Sequence, residues 1–279
     1  MITTTMILPA TPRADVMAES ALTASTSHSE VVRVQPNTLG RDFVVGDLHG
    51  HYAPLMQLMA AVNFDRSVDR LFAVGDLVDR GPNSLACINL LEQPWFYSVL
   101  GNHEDVCLQA AKLLVYKTPD EWNADDLILL NDYKELYEGA WLFELDMTQL
   151  LALIPLLSAL PVIISVGDAQ QQCHIVHAEL QQVAGRDIMD SDIESWLATP
   201  IPEKVHAHCL SGRELINAAK NGAQQTMRPG LSLTYCGHSA VRYKLQHASH
   251  RFIDSGGGFP GGWFSLLELN TDRLVIQRA

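Results

Sequence analysis

Five short stretches of this 279-residue chain hold residue types that bind metal ions or move protons. Asp47 and His49 lie in Gly46-Asp47-Leu48-His49-Gly50, and Asp76, Asp79 and Arg80 in Gly75-Asp76-Leu77-Val78-Asp79-Arg80-Gly81. Asn102, His103 and Glu104 follow Gly101, His177 opens His177-Ala178-Glu179, and His238 follows Gly237. Each stretch comes directly after an apolar run, at 42–45, 71–74, 96–100, 174–176 and 233–236, of the length of a buried strand. Alone, the 75–81 stretch reads equally well as a solvated turn with a surface ion pair. Five strand-like runs that each end in a ligand or acid-base residue make that reading untenable, because α/β proteins gather their ligands at the carboxyl ends of strands.

Asp47, His49, Asp76, Asn102, His177 and His238 together offer two carboxylates, three imidazoles and an amide oxygen. That set suits two divalent ions, and its mixed nitrogen and oxygen donors favour Mn, Fe or Zn over Ca. Asp76, in the middle loop, is the natural bridge. Two ions about 3.5–4 Å apart can bind both oxygens of an in-line displacement and supply hydroxide at neutral pH. Hydrolysis of a phosphate ester then needs a proton for the leaving oxygen and donors for the nonbridging oxygens. His103, beside Asn102, can be the acid, with Asp79 orienting its imidazole. Arg80 offers a bidentate fork to phosphate.

The elements that must position these residues follow an α/β order. Strand 42–46 leads to a helix near 52–62 with Leu55, Leu58, Met59 and Val62 on one face. Strand 70–74 leads to a helix near 83–92, and strand 96–100 to a helix running to about residue 115. Three successive units of this kind predict parallel strands with right-handed crossovers. Residues 116–160, with Trp122, Trp141 and the Leu-rich 147–160 stretch, read as a helical insert that packs beside the core and walls the cleft. A hairpin is expected at 162–166 and 173–177, and polar helices or loops over 180–230. Strands return at 231–236, 249–253, 263–269 and 273–277. Glycines 256–258 and 261–262 flank Phe259-Pro260 with no Lys-Ser or Lys-Thr after them, so a tight turn is expected there and not a phosphate loop. Residues 1–40, rich in Thr, Ser, Ala and Pro, read as a flexible leader with an edge strand near 31–34, ahead of a single domain over 41–279.

Composition narrows the function classes. The net charge of −13 argues against nucleic acid as a partner, and any phosphate must be drawn in by a local positive site. No apolar stretch reaches a membrane span, since Pro155 and Pro161 interrupt the best one. Residues 1–10 lack a secretory signal. Five scattered cysteines without a C-x-x-C pair read as reduced thiols in a cytoplasmic protein. His206 and His208 have ligand-like spacing but are read as a surface loop, His51 as able to line the pocket, and Asp254 as core or site-adjacent.

The 46–50, 75–81 and 101–104 motifs resemble the signature of the phosphoprotein phosphatases, within the calcineurin-like metallophosphoesterases of the small bacterial and bacteriophage type. The likeness is strong over 41–115 and continues as scattered matches at 177–179, 237–239 and 253–256. It implies two mixed β-sheets packed face to face and flanked by helices, with the metals at one edge. It implies that Asp47, His49 and Asp76 bind one ion, and Asp76, Asn102, His177 and His238 the other, with Mn first among the candidates. His103 and Asp79 would form the acid pair and Arg80 would hold phosphate. A second phosphate-holding arginine is implied between the His177 and His238 motifs, at Arg213, with Arg186 as fallback. The neighbour of Arg213 is not the Trp that the bacterial proteins often carry. The implied reaction is removal of phosphate from phosphoserine or phosphothreonine in proteins, by direct hydroxide attack with His103 as general acid. The alternative within the superfamily is symmetrical diadenosine tetraphosphate hydrolysis, whose enzymes typically carry Ala at the place of Asp79 and Asp at that of Glu104. A metal-binding interaction protein without catalysis would have lost a ligand or the acid, and none is missing here.

Overall fold

The computed structural model describes residues 29–168, 171–242, 244–269 and 271–278. Three strands start the first sheet: β2 (Asp42–Val45), β3 (Arg70–Ala73) and β4 (Phe96–Ser98). They run parallel, with Val44 beside Phe72 and Phe72 beside Tyr97. Each is followed by a helix, α1 (Tyr52–Ala61), α2 (Ser84–Ile88, continued by a 3₁₀ turn at Asn89–Glu92) and α3 (Asn102–Tyr116), as the repeated strand-loop-helix pattern predicts. The last strands, β12 (Trp263–Glu268), antiparallel to β2, and β13 (Leu274–Arg278), antiparallel to β12, complete this sheet in the order β13-β12-β2-β3-β4.

The second sheet has the order β1-β5-β6-β9-β11-β10. It comprises β1 (Val31–Val34), β5 (Ile163–Gly167), β6 (Gln172–Val176), β9 (Thr234–Cys236), β10 (Leu245–His247) and β11 (His250–Phe252). β5 and β6 form the expected antiparallel hairpin. The two-residue alternation of strands decides how the sheets meet. Val44 and Phe72 point inward with Val74 and Val99, against Ile164, Val166, Ile175, Tyr235 and Ile253 of the other sheet. Their neighbours Phe43, Val45, Leu71 and Ala73 point outward, under the helices. The architecture is therefore two mixed sheets face to face with helices outside. The outer face of the second sheet is covered by α6 (Asp190–Trp196), α7 (Glu203–Ser211) and α8 (Glu214–Lys220), while β7 (Gln182–Val183) and β8 (Arg186–Asp187) form a small separate hairpin.

Residues 29–40 do not stand apart from the domain as a boundary at 41 implies. β1 pairs in parallel with β5 through Val31 and Ile163, and Arg70 ties Asp42 at 2.6 and 2.8 Å to the Gln35 carbonyl at 2.8 Å. The leader before residue 29 lies outside the described residues. His206 and His208, expected on a loop, lie within α7. No helix among the described residues is long and apolar enough to cross a membrane.

Between α3 and β5 the chain forms α4 (Ala124–Glu135), a 3₁₀ turn (Ala140–Glu144) and α5 (Met147–Ser158), the expected helical insert. Asn123 and Asp146 cap the two helices, each side chain accepting the N–H three residues on at 2.9 Å. Leu150, Leu153, Ile154 and Leu157 fall on one face of α5 and are buried against the helices outside the first sheet. Leu153 is 1% exposed, so Leu153→Ala should cost about 2–5 kcal/mol of stability, read from urea denaturation.

Candidate active site

The candidate residues lie on the loops that leave β2, β3, β4, β6 and β9. These loops turn abruptly. His49, Asp76, Asp79, Arg80 and His238 have φ of 42°, 50°, 72°, 64° and 62°, in the left-handed region that side chains with a Cβ avoid. Neighbouring groups hold them there. Glu104, with no exposure, accepts the backbone N–H of Asp76 and Leu77 at 2.7 Å each, of Gly101 at 3.1 Å and of Val78 at 3.2 Å. Burial and the neighbouring Asp76 push this carboxyl up to about 8, against which the backbone donors favour the anion. The Asp76 carbonyl accepts from both Leu48 and His49, at 2.9 and 2.8 Å, which locks the first loop to the second. Two glycines are required by close approach. A Cβ at Gly101 would stand 2.3 Å from Asp76 Oδ1, and one at Gly237 would stand 2.0 Å from Asp47 Oδ1.

A cavity of 290 Å³ opens between these loops. Asp47, His49, Asp76, Asn102, His103 and His238 line it, together with Arg80 and Arg213. Asp76 is the hub. Its carboxylate lies 3.7 Å from His49 Nε2 on one side and 3.4 Å from His177 Nε2 on the other. Asn102 Oδ1 is 2.9 Å from both His177 Nε2 and His238 Nδ1. Donor atoms of His49, Asp76 and His103, and of Asp76, His177 and His238, fall within 4.8 Å of one another. Asp47 lines the same cavity while accepting the His238 N–H at 3.1 Å.

These residues fit divalent cations. His49 Nδ1 donates to the Val78 carbonyl at 3.0 Å and His177 Nδ1 to that of Val74 at 2.7 Å, so each Nε2 turns a lone pair into the cavity. Burial pushes both His49 and His238 down to about 3, which keeps them neutral at pH 7. His177 Nε2, Asn102 Oδ1 and Asp76 Oδ1 thus converge as acceptors with no hydrogen to share, and His238 Nε2 is buried without a partner. Burial, with Asp254 and Asp76 close by, also drives Asp47 well above the usual carboxylate range. A crowd of buried acceptors of this kind is stabilised by added positive charge. Arg80 already supplies some, donating to His49 Nε2 at 2.7 Å.

His103 and Asp79 pair through Nδ1 and Oδ2 at 2.7 Å. Burial opposes protonation of His103, yet Asp76 and the bond to Asp79 raise its pKa above the ordinary value. Arg80 Nη2 lies 3.3 Å from His103 Nε2, and its guanidinium stacks 4.5 Å over Phe259. The 256–262 glycine turn therefore closes onto the site. Arg213 lines the cavity and donates to Ser239 Oγ at 2.9 Å. Arg186, the fallback, instead pairs with Asp192 at 2.6 and 2.7 Å on the outlying β8. His51 packs against Phe264 and is not among the lining residues, whereas Asp254 is.

Several contributors escape sequence reasoning. Glu179 is buried and accepts the N–H of Leu215 at 3.0 Å and of Ile216 at 2.7 Å, fixing the helix that follows Arg213. Lys220 adds a third cation at the cavity rim. Tyr133 Oη and Trp141 Nε1, both from the insert, donate to Asp79 Oδ1 at 2.7 Å each. Only the presence of Trp in the insert hinted at this, and nothing in its spacing points to Asp79.

A family model described as calcineurin-like phosphoesterase matches residues 43–242. Serine/threonine-protein phosphatase 1 of Salmonella typhimurium (strain LT2) is 30% identical over 233 residues, which cover 82% of this chain and 92% of that protein. The symmetrical bis(5'-nucleosyl)-tetraphosphatase of Dechloromonas aromatica (strain RCB) is 43% identical over 72 residues, 25% of this chain and 26% of that protein. A solved structure named as a diadenosine tetraphosphatase superposes with a TM-score of 0.58 at 26% identity, covering 89% of this chain and 97% of that one.

Glu104→Gln replaces one acceptor oxygen by an NH₂ that faces backbone N–H groups. Each donor left unsatisfied costs about 1–3 kcal/mol, and the loops should lose their left-handed turns. Urea denaturation should show a loss in that range, and calorimetric titration with Mn should show weakened binding.

Proposed function

The chain belongs to the calcineurin-like phosphoesterase family, and from that premise we propose that it removes phosphate from phosphoserine and phosphothreonine in proteins. The observation that carries this reading is the buried Asp79–His103 pair, joined at 2.7 Å beside the cavity. A serine or threonine alkoxide is a very poor leaving group and needs a proton as it departs. The nucleoside diphosphate expelled from a dinucleoside tetraphosphate is stable as an anion and needs far less help. A protonated imidazole backed by a carboxylate suits the ester.

Two divalent ions, held by Asp47, His49 and Asp76 and by Asp76, Asn102, His177 and His238, would supply charge neutralisation and acidify water; Mn is the first to test, with Fe and Zn next. The chain's own groups do the rest. Arg80 and Arg213, which both line the cavity, hold the nonbridging oxygens of the phosphate. Ser239 steadies Arg213, and Phe259 lies under Arg80. With Nδ1 engaged by Asp79, His103 carries its transferable proton on Nε2 and delivers it to the departing oxygen. The five cysteines are free, in accord with a cytoplasmic location.

Symmetrical diadenosine tetraphosphate hydrolysis is the second reading. The likeness to proteins of that name and the third cation at Lys220, suited to a longer phosphate chain, favour it. A side-by-side assay of kcat/KM on a phosphoserine peptide and on diadenosine tetraphosphate decides between them. Preference for the peptide supports the first reading, and preference for the dinucleotide overturns it. Arg213→Ala should lower the rate about 10²–10³-fold, the scale for one oriented donor, with metal content unchanged. Arg186→Ala should behave as wild type. Asp76→Asn should bring bound metal below two equivalents per chain by elemental analysis, since this carboxylate faces both donor groups.

A further inference from the structure

We propose that Tyr133 and Trp141 are positioning residues of the acid, and that the helical insert is thereby part of the catalytic machinery. The inference rests on His103 and Asp79 acting as a pair at the site, as above.

Asp79 is fully buried, and among the described residues no lysine or arginine is bonded to its carboxylate. A carboxylate out of water needs its lone pairs filled. One oxygen, Oδ2, faces His103 Nδ1, and the other takes both Tyr133 Oη and Trp141 Nε1 at 2.7 Å. Two directed donors on one oxygen fix the plane of the carboxylate, and that plane fixes the bond to the imidazole. The backbone N–H of Asp79 is held as well, by Ser84 Oγ at 2.9 Å. Asp79 sits at a φ of 72°, so without these contacts it has no intrinsic preference for its place.

The donors are themselves rigid. Tyr133 belongs to α4 and has no exposure, and its ring is covered by Gly139, where a Cβ would come within 2.4 Å of it. Trp141 lies on the 3₁₀ turn that follows. Tyr137, between them, sets its ring edge-on to His103 with centroids 4.9 Å apart. Residues 133, 137 and 141 thus deliver three aromatic groups at four-residue steps to one pair, and the Glu138 carbonyl accepts the Arg80 N–H at 3.4 Å. A purely structural insert has no need to end two of its polar aromatics on the carboxylate that is paired with His103.

The test uses Tyr133→Phe, Trp141→Phe and their combination, which keep ring bulk and remove donors, each made in wild type and in His103→Asn. kcat is measured at saturating Mn on a phosphoserine peptide and on p-nitrophenyl phosphate, whose phenolate leaves without a proton, with bound metal and melting temperature recorded. The combined variant should lose about 10–100-fold on the peptide and less than about 3-fold on p-nitrophenyl phosphate, at unchanged metal content. In the His103→Asn background the same changes should cost nothing further, because groups acting through one residue are not additive. Equal further losses in both backgrounds, or no loss on the peptide, would overturn the proposal. Should the combined variant melt early, the single variants carry the same comparison. If His103→Asn alone slows both substrates equally, His103 is not the acid. Positioning is still supported by non-additivity and still overturned by additivity.

Discussion

The candidate ligand loops of the first sheet hang on one carboxylate. Glu104 draws the N–H groups of Asp76, Leu77, Val78 and Gly101 onto two oxygens, and this bond set holds the middle loop against the start of α3. Asp76 then holds Leu48 and His49 through its carbonyl, so the first loop inherits its position from the second. The second sheet repeats the device with Glu179, which fixes Leu215 and Ile216 behind Arg213. Both glutamates stand two residues after a candidate ligand, Asn102 or His177. The ligand faces the cavity while the glutamate faces the backbone that must be bent. Burying such a carboxylate is unfavourable by several kcal/mol, and the N–H bonds it collects are what offset that.

The same bent loops crowd Asp47, Asp76 and Asp254, all buried, into one site. Burial pushes Asp254 up to about 6 and Asp47 well above its usual range, while His49 and His238 are driven towards neutrality. The permanent cations that line this cavity are Arg80, Arg213 and Lys220. With a sequence-wide charge of −13, such a local cluster of cations is what an anionic substrate requires.

Much of this was legible in the chain before its structure. The strand-loop-helix repeats of 42–115 carry their own period and punctuation, and the three parallel strands follow from them. The glycines at 75 and 81 punctuate the tight turn that carries Asp76, Asp79 and Arg80. Other features were not legible because they depend on long-range partners. The edge strand at Val31–Val34 was legible, but its partner was not, since β5 lies more than a hundred residues further on. Tyr133 and Trp141 look like ordinary core aromatics, since nothing local records that 54 and 62 residues separate them from the carboxylate they meet. Glu104 reads as one more acidic residue at a helix start, a favourable place for any carboxylate.

The two halves of the proposed chemistry therefore come from different layers. The sheets and their glutamates fix the groups suited to metal and phosphate, through backbone bonds that tolerate little change. The insert fixes the acid, through two side-chain donors, and reaches the backbone of Arg80 through the Glu138 carbonyl, from a segment that is otherwise free to vary on its outer face. Leu127, Ile128 and Leu136 there are more than half exposed and carry no such constraint. Altering the insert can then change how well a leaving oxygen is protonated while the ligand loops stay as they are. Demand for an acid separates alkyl esters from phosphoanhydrides, so selection between these substrates can act on the insert and on Asp79 without disturbing the metal site.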